Sequence, residues 1–171
     1  MTTTWPAQSC NLDAVRVRKV RDSDAQDLFG LITLCFADYP GCFADPHDDM
    51  ADLVRPAQSA IERDLLFLVV EDDTGRVQAC IGMDFPTDET AELHRLYVRP
   101  DARCRGLASH LIGLVEAHAR TRGVERIILW SDTRFVTAHT LYEKRGYVRV
   151  AGSRDLGDVS GSVEWCFEKR W

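Results

Sequence analysis

Hydrophobic residues along the chain follow two spacings, one typical of strands and the other typical of helices. Residues 14–20 alternate valine with basic side chains, which predicts a half-exposed first strand. The continuous apolar runs 65–70 and 127–130 predict strands that are buried on both faces. Apolar residues three and four positions apart predict two main helices, one that Asp22 or Ser23 can cap and a longer one from Leu107.

Shorter apolar stretches and turn residues predict the other elements. They are a hairpin strand over 77–85, strands over 92–98, 147–150 and 162–169, a helix over about 47–61 broken or kinked by Pro56, and a short helix over about 136–144. Within 92–98, alternation places Leu96 and Val98 on one face and Leu93 and Tyr97 on the other. This order predicts an α/β sandwich around a mixed, mostly antiparallel sheet.

Composition narrows the class of protein. The chain has 171 residues, of which 45% are hydrophobic and 28% are charged, as expected for one globular domain. We expect residues 1–13 to form a flexible arm and 14–171 a single domain. The net charge of −6 argues against nucleic-acid binding, and no apolar run is long enough for a membrane span. With no signal-peptide pattern, we expect a cytoplasmic protein. The six scattered cysteines lack the spacing of metal ligands, so we expect no metal.

The connection between the strand 92–98 and the helix from Leu107 carries candidate chemistry. The first N–H groups of a helix are unpaired and carry partial positive charge, so they can bind an anion. Arg103 and Arg105 add full charges there, while Gly106 and Ala108 leave room for a close approach. The turn is therefore either a pyrophosphate site or an ordinary connection with two solvated arginines.

Two linked motifs decide between these interpretations. The pattern Arg103-x-x-Gly106-x-Ala108 resembles the acyl-CoA signature of the GNAT N-acetyltransferase superfamily, and residues 138–147 resemble its second motif, A-x-x-L-Y-x-x-x-G-F/Y. The resemblance implies acetyl-CoA as co-substrate and transfer of its acetyl group to a primary amine of a small molecule or peptide. It also implies a GNAT-type sheet with helices on both faces. In that sheet, strands 92–98 and 126–130 are parallel neighbours that splay apart around the pantetheine arm.

The resemblance also assigns residues to roles. Tyr142 becomes the candidate acid that protonates the departing thiolate, although a core aromatic is the alternative. Glu92 becomes the candidate base, with a solvated strand-edge carboxylate as the alternative and with His94, acting through a water, as a second candidate base. A backbone N–H near Tyr97 or Val98 is implied to polarise the thioester carbonyl. The predicted cofactor-binding residues are Leu96, Tyr97, Val98, Arg103, Cys104, Arg105, Gly106, Leu107, Ala108, Ser109, Ala138 and Tyr142.

The chain departs from the family pattern at two positions. Phe135 stands where the family commonly has an asparagine that contacts CoA, and Cys104 stands where a glycine is often found. Ser131, Asp132 or Arg134 could compensate for the missing asparagine.

Other functions remain open from the sequence. A transferase for succinyl- or malonyl-CoA would need a basic residue in the acyl pocket, and a CoA-binding regulatory module would have no turnover. Acidic residues between 38 and 52 are either a solvated helix start or, as the resemblance implies for the segment that shapes the acceptor pocket, a feature that favours an ammonium-bearing acceptor. The C-terminal strand with Trp171 could form a homodimer interface.

Overall fold

The computed structural model describes residues 15–45 and 50–171, and it contains a seven-stranded sheet in the order β1-β2-β3-β4-β5-β7-β6. The strands are β1 Val15–Lys19, β2 Leu66–Asp72, β3 Val77–Thr87, β4 Thr90–Val98, β5 Arg126–Asp132, β6 Val148–Asp155 and β7 Val163–Arg170. Strands β4 and β5 are parallel, and every other neighbouring pair is antiparallel. The predicted mixed, mostly antiparallel sheet and its parallel pair are confirmed.

Helices cover both faces of the sheet. They are α1 Ala25–Phe36, α2 Pro56–Glu62, α3 Leu107–Thr121 and α4 Val136–Lys144. On one face, Leu28 and Ile32 of α1 pack in a cluster with Phe67 and Val69 of β2. On the opposite face, α3 packs in a second cluster with the alternate β2 residues, such as Leu68. Strand β2 is buried on both sides for this reason, which is why its sequence is continuously apolar.

The predicted break at Pro56 is present: a short 3₁₀ helix over Ala51–Leu53 ends before it, and α2 begins at Pro56, where a missing N–H costs nothing. The predicted capping of α1, in contrast, is wrong. The Asp22 carboxylate does not cap α1; its Oδ1 accepts hydrogen bonds from the backbone N–H groups of Ala57 (2.9 Å) and Gln58 (3.1 Å). Asp22 therefore caps α2, across 35 residues of chain. The arm predicted over 1–13 and the helix start predicted near His47 lie outside the described residues.

Strand β4 contains a bulge that the sequence analysis missed. Its pairing with β3 runs from Cys80↔Tyr97 to Gly82↔His94, so β4 has one residue more than β3 in this interval, and Arg95 takes a φ of 58°. As a result, Leu93 packs in the α3 cluster, whereas Tyr97 packs in the α1 cluster. The prediction that these two residues share a face is wrong because the extra residue reverses the alternation.

The C-terminal end of β6 also differs from the prediction. Strand β6 runs to Asp155, so the first part of the predicted loop 152–161 is extended and pairs with β7. The pairing resumes after an irregularity between Arg149 and Ser153, and Gly152 there has a φ of 107°. Glycine and serine favoured a loop in the sequence, but cross-strand pairing with β7 overrides that local preference.

Candidate active site

The parallel strands β4 and β5 separate halfway along their length. Their pairing ends at Leu93↔Leu129, although β4 continues to Val98 and β5 continues to Asp132. Beyond this point β5 pairs only with β7, through Asp132↔Glu164, so the sheet opens into a gap. The predicted splay is therefore present, and among the described residues it leaves one edge of the second half of β4 without a neighbouring strand.

Two cavities occupy this gap. We call the first the turn cavity; it has a volume of about 660 Å³ and lies between the 103–109 turn and α4. We call the second the cleft cavity; it has a volume of about 330 Å³ and extends from the second half of β4 to the loop between β6 and β7. Both are lined by the same five residues where they meet: Phe36, Leu96, Tyr97, Phe135 and Ala138.

The 103–109 turn presents its backbone to the turn cavity. Cys104 and Gly106 both have positive φ, at 61° and 79°, which folds the chain back tightly before α3 begins. The first hydrogen bond of α3 runs from the N–H of His110 to the carbonyl of Gly106, at 2.9 Å. The N–H groups of Leu107, Ala108 and Ser109 precede it and have no acceptor within the helix. This backbone can hold an anion, as the sequence predicted.

The two arginines of the turn differ in their surroundings. Arg103 Nη1 lies 2.6 Å from Asp38 Oδ2, and its Nε donates to the carbonyl of Val98 at 3.2 Å, so this guanidinium is anchored to the end of α1 and to β4. Arg105 is exposed and lines neither cavity in the described part of the chain. The full positive charge predicted at this turn is thus partly offset by Asp38.

Most of the predicted cofactor-binding residues meet in the turn cavity. Those that line it are Leu96, Tyr97, Val98, Arg103, Cys104, Gly106, Leu107, Ala108, Ser109 and Ala138. Tyr142 lines the cleft cavity instead, together with Glu92. Sequence reasoning missed the contribution of α1, whose Cys35 and Phe36, with Tyr39 just beyond, form one wall of the turn cavity. Their only sequence signal was the helical apolar pattern, which does not reveal what a helix end faces.

Glu92 is half-buried at the inner end of the cleft cavity. Burial raises its pKa, and the carboxylate of Asp84, its partner across the β3–β4 ladder, raises that pKa further. Burial also raises the pKa of Asp84, whose Oδ2 lies 3.3 Å from Nη2 of Arg63. Asp84 was missed because its proximity to Glu92 depends on the register of the hairpin.

His94 lies beside this carboxylate pair. Its Nε2 is buried, finds no hydrogen-bond partner among the described residues, and lies 3.8 Å from Asp84 Oδ2. Burial lowers its pKa to about 4, so the imidazole is neutral at pH 7. Gly82 makes room for this ring, since a Cβ there would come within 2.9 Å of His94 Cε1. The low pKa makes His94 a weaker base than the raised carboxylate of Glu92.

Tyr142 closes the inner end of the cleft cavity from α4. It is 6% exposed, and its ring centroid lies 5.9 Å from that of Phe167 and 6.0 Å from that of Tyr147. Burial raises the pKa of its phenol, so the group keeps its proton at neutral pH and can donate it. The prediction of a core aromatic and the prediction of an acid are therefore compatible, because the side chain both packs in the core and reaches the cavity.

Asp132 lines the cleft cavity and is held in an ion pair by Arg134, which lies behind it. Arg134 binds Asp132 through Nε at 2.9 Å and Nη2 at 2.6 Å, and it also reaches Ser160 O and Ser162 Oγ at 3.3 Å each. Arg134 and Asp132 thereby hold the β6–β7 loop, which limits their availability to compensate for the missing asparagine. Ser131 and Asp132 line the cleft cavity, whereas Phe135 lines both cavities.

Residues 15–45 and 50–171 contain neither a cluster of metal ligands nor a membrane-spanning helix. No group of three or more His, Cys, Asp or Glu side chains in these ranges is arranged to hold a metal ion. Within the same ranges, no helix combines the length and the apolar character needed to cross a membrane.

Comparisons with known proteins agree with this geometry. A family model described as the acetyltransferase (GNAT) family matches residues 27–147. A mycothiol acetyltransferase from Beutenbergia cavernae is 30% identical over 144 residues, which are 83% of this chain and 48% of that protein. The chain thus spans about half the length of this relative.

Solved structures share the fold at low sequence identity. An acetyltransferase from Streptococcus agalactiae superposes with a TM-score of 0.80 at 18% identity, covering 94% of this chain and 100% of that chain. PaiA N-acetyltransferase from Thermoplasma acidophilum, solved in complex with coenzyme A, superposes with a TM-score of 0.70 at 18% identity, covering 92% and 99%.

Proposed function

The chain belongs to the acetyltransferase (GNAT) family and is an acyltransferase, and on that premise we propose that it transfers an acetyl group from acetyl-CoA to a primary amine by direct attack in a ternary complex. One observation carries the proposal: two cavities meet at the splay of β4 and β5. One of them faces a turn built for an anion, and the other is lined by Glu92 and Tyr142.

Acetyl-CoA fits the turn cavity in shape and chemistry. The unpaired N–H groups at the start of α3 match the pyrophosphate, and the 103–109 turn adds the guanidinium of Arg103. The unpaired edge of β4 at Tyr97 and Val98 can hydrogen-bond the amides of the pantetheine arm and polarise the thioester carbonyl. The PaiA structure, which shares this fold, was solved with coenzyme A.

The chemistry places Glu92 and Tyr142 on opposite sides of the transfer. Glu92 accepts the proton that the amine loses as its nitrogen attacks the thioester carbonyl. The new C–N bond forms, the C–S bond breaks, and the leaving thiolate takes a proton from the Tyr142 phenol. Solvent then returns the proton to Tyr142 and removes the one on Glu92. The raised pKa of Glu92 suits its role, because it makes the carboxylate more basic. The raised pKa of Tyr142 keeps the phenol protonated but makes it a weaker acid, so its role as donor is supported by its position in the cleft cavity and not by its pKa.

The lining of the cavities favours particular substrates. No basic residue is among the five that line both cavities, which disfavours an anionic acyl group such as succinyl or malonyl. Three arginines of the cleft cavity are each within 3.3 Å of a carboxylate: Arg63, Arg95 and Arg154. The carboxylate of Glu92, in contrast, forms no ion pair with the described residues. This balance supports an ammonium-bearing acceptor.

Calorimetry with acetyl-CoA, combined with release of free thiol against a panel of primary amines, tests the proposal. We expect acetyl-CoA to bind and thiol release to depend on an amine. Binding without amine-dependent release from any compound of the panel would favour a regulatory CoA module, and absence of binding would contradict the assignment of the turn cavity.

A further inference from the structure

The junction of the two cavities is lined by apolar and aromatic side chains. The turn cavity faces backbone N–H groups and the cleft cavity faces charged side chains, but the five residues common to both are apolar or aromatic. Three of them carry rings: Phe36 at the end of α1, Tyr97 on β4 and Phe135 immediately before α4. These rings enclose the gap between the splayed strands.

The transferred acyl group has to lie at this junction. Its carbonyl carbon is bonded to the thioester sulfur, which arrives through the turn cavity, and it must be within reach of an amine in the cleft cavity. The residues that line both cavities are therefore those that surround the acyl chain. This step depends on the function proposed above.

Phe135 is held firmly in this position. Its ring centroid lies 4.6 Å from that of Tyr39 and 6.0 Å from that of Phe36, so it is supported from the α1 side. Its backbone N–H donates to the carbonyl of Asp132 at 3.0 Å, and its carbonyl accepts from the N–H of His139 at 3.1 Å. Phe36 is in turn supported by Tyr97, at 5.9 Å between ring centroids. The ring is thus a fixed wall.

We propose that Phe135, backed by Phe36 and Tyr39, limits the length of the acyl group that this protein transfers. A two-carbon acyl group fits against the ring, and each added methylene meets it. In a tight apolar pocket, one methylene more or less changes kcat/KM by about 10- to 200-fold. The aromatic residue at the position where the family commonly has asparagine thus acts as a specificity-determining residue.

Donor competition between acetyl-, propionyl- and butyryl-CoA tests this inference. In the unaltered protein, we expect kcat/KM for acetyl-CoA to exceed that for propionyl-CoA by about 10-fold or more. Phe135→Ala should bring this ratio near unity and should allow butyryl transfer. The ratio does not depend on the fraction of folded enzyme, and Phe135→Leu provides a milder version of the same test if the alanine variant does not fold.

Phe29→Ala is the matched control. Phe29, on α1, is a partly buried phenylalanine like Phe135, but it lines neither cavity in the described part of the chain. Its truncation should leave the donor ratio within about twofold of the unaltered protein, because it does not touch the junction that surrounds the acyl group. An unchanged ratio in both Phe135 variants would overturn the inference, as would an unaltered protein that uses propionyl-CoA as well as acetyl-CoA.

A separate readout distinguishes failure of the inference from failure of the proposed function. If the unaltered protein releases no thiol with any donor and any amine, the proposed function is wrong, and calorimetric affinities then decide the inference. Tighter binding of acetyl-CoA than of butyryl-CoA, with the difference removed by Phe135→Ala, would support the role of the ring. Equal affinities in the unaltered protein would overturn it.

Discussion

The turn cavity and the cleft cavity differ in how they are built. The 103–109 turn is one continuous stretch whose backbone provides the binding groups. The charged and catalytic residues of the cleft cavity come instead from the segments that flank α2, from β4, β5 and α4, and from β6, β7 and the loop between them. A site made of consecutive residues depends on local conformation, but a site made of distant residues depends on strand register and helix packing. The first can be compared between proteins by motif, and the second is specific to each chain.

This difference predicts that mutations in the cleft cavity affect turnover and those in the turn affect CoA affinity. The largest effect should come from Tyr142→Phe, which removes the proposed acid but keeps the ring. We expect kcat to fall by about 10²- to 10³-fold with little change in the dissociation constant of acetyl-CoA, measured by calorimetry.

Tyr147→Phe is a matched control for this variant. Tyr147 is also a buried phenol, but it does not line either cavity in the described part of the chain. Its hydroxyl faces Glu116 rather than either cavity, so its removal should leave kcat unchanged. Equal kcat values for Tyr142→Phe and the unaltered protein would remove the proposed role of Tyr142 in proton transfer.

The next effect concerns the pH dependence of turnover. Glu92 has a raised pKa, so it becomes protonated, and activity is lost, at a higher pH than for an ordinary glutamate as the pH falls. Its pKa depends on burial and on the charges of Asp84, Arg154, Glu164 and Arg63 around it. Asp84→Asn removes a negative charge beside Glu92 and takes away the nearest carboxylate partner of Arg63. Both changes lower the pKa of Glu92. We expect the acid limb of kcat/KM to move to lower pH.

The same substitution at an exposed aspartate separates this local effect from a change in net charge. Asp73→Asn, in the turn between β2 and β3, should leave the pH profile in place. If Asp84→Asn also leaves the pH profile of kcat/KM in place, Glu92 is not the group that titrates in the acid limb. If Glu92→Gln removes the acid limb from that profile, Glu92 is the group.

Much of the fold could be predicted from the sequence, because burial on both faces leaves a continuous apolar run in β2, and because helical spacing identifies α1 and α3. The apolar run of β5 also identified a strand, although burial there alternates and Ile128 and Trp130 are only partly buried. The bulge at Arg95 could not be predicted, since an arginine with a φ of 58° has no local signal and is fixed by pairing with β3. The capping of α2 by Asp22 is likewise a contact between distant segments.

The same reasoning applies to the site. The turn residues, Glu92 and Tyr142 were all proposed from motifs within short stretches. The contributions of Asp84 and Phe36 were missed, because each depends on an element elsewhere in the chain that packs against the motif. Arg63, Arg154 and Glu164 of the cleft cavity were missed for the same reason, since they come from segments outside the motifs.

A smaller effect is expected in the turn cavity from Asp38→Asn. This change removes the carboxylate that pairs with Arg103, while the bond from Arg103 Nε to Val98 O at 3.2 Å keeps the guanidinium in place. Because both side chains are partly exposed, we expect CoA to bind only about 2- to 5-fold more tightly at low salt, with the gain lost at high salt. Asp101→Asn, an exposed aspartate near the same turn, is the control for net charge. Weaker CoA binding by Asp38→Asn would mean that Asp38 orients Arg103 rather than competing with the ligand.

The smallest expected effect is on stability and tests whether the turn is governed by backbone conformation. Cys104 has a φ of 61°, which costs a residue with a Cβ about 1 to 2 kcal/mol. Glycine removes this cost but adds freedom to the unfolded chain, worth about 0.5 to 1 kcal/mol. Cys104→Gly should therefore raise the free energy of unfolding by about 0.5 kcal/mol, or Tm by roughly 1 to 2 °C. Cys104→Ala also removes the thiol but keeps the Cβ, so it should give no gain; equal stabilisation by both variants would attribute the effect to the thiol rather than to the backbone.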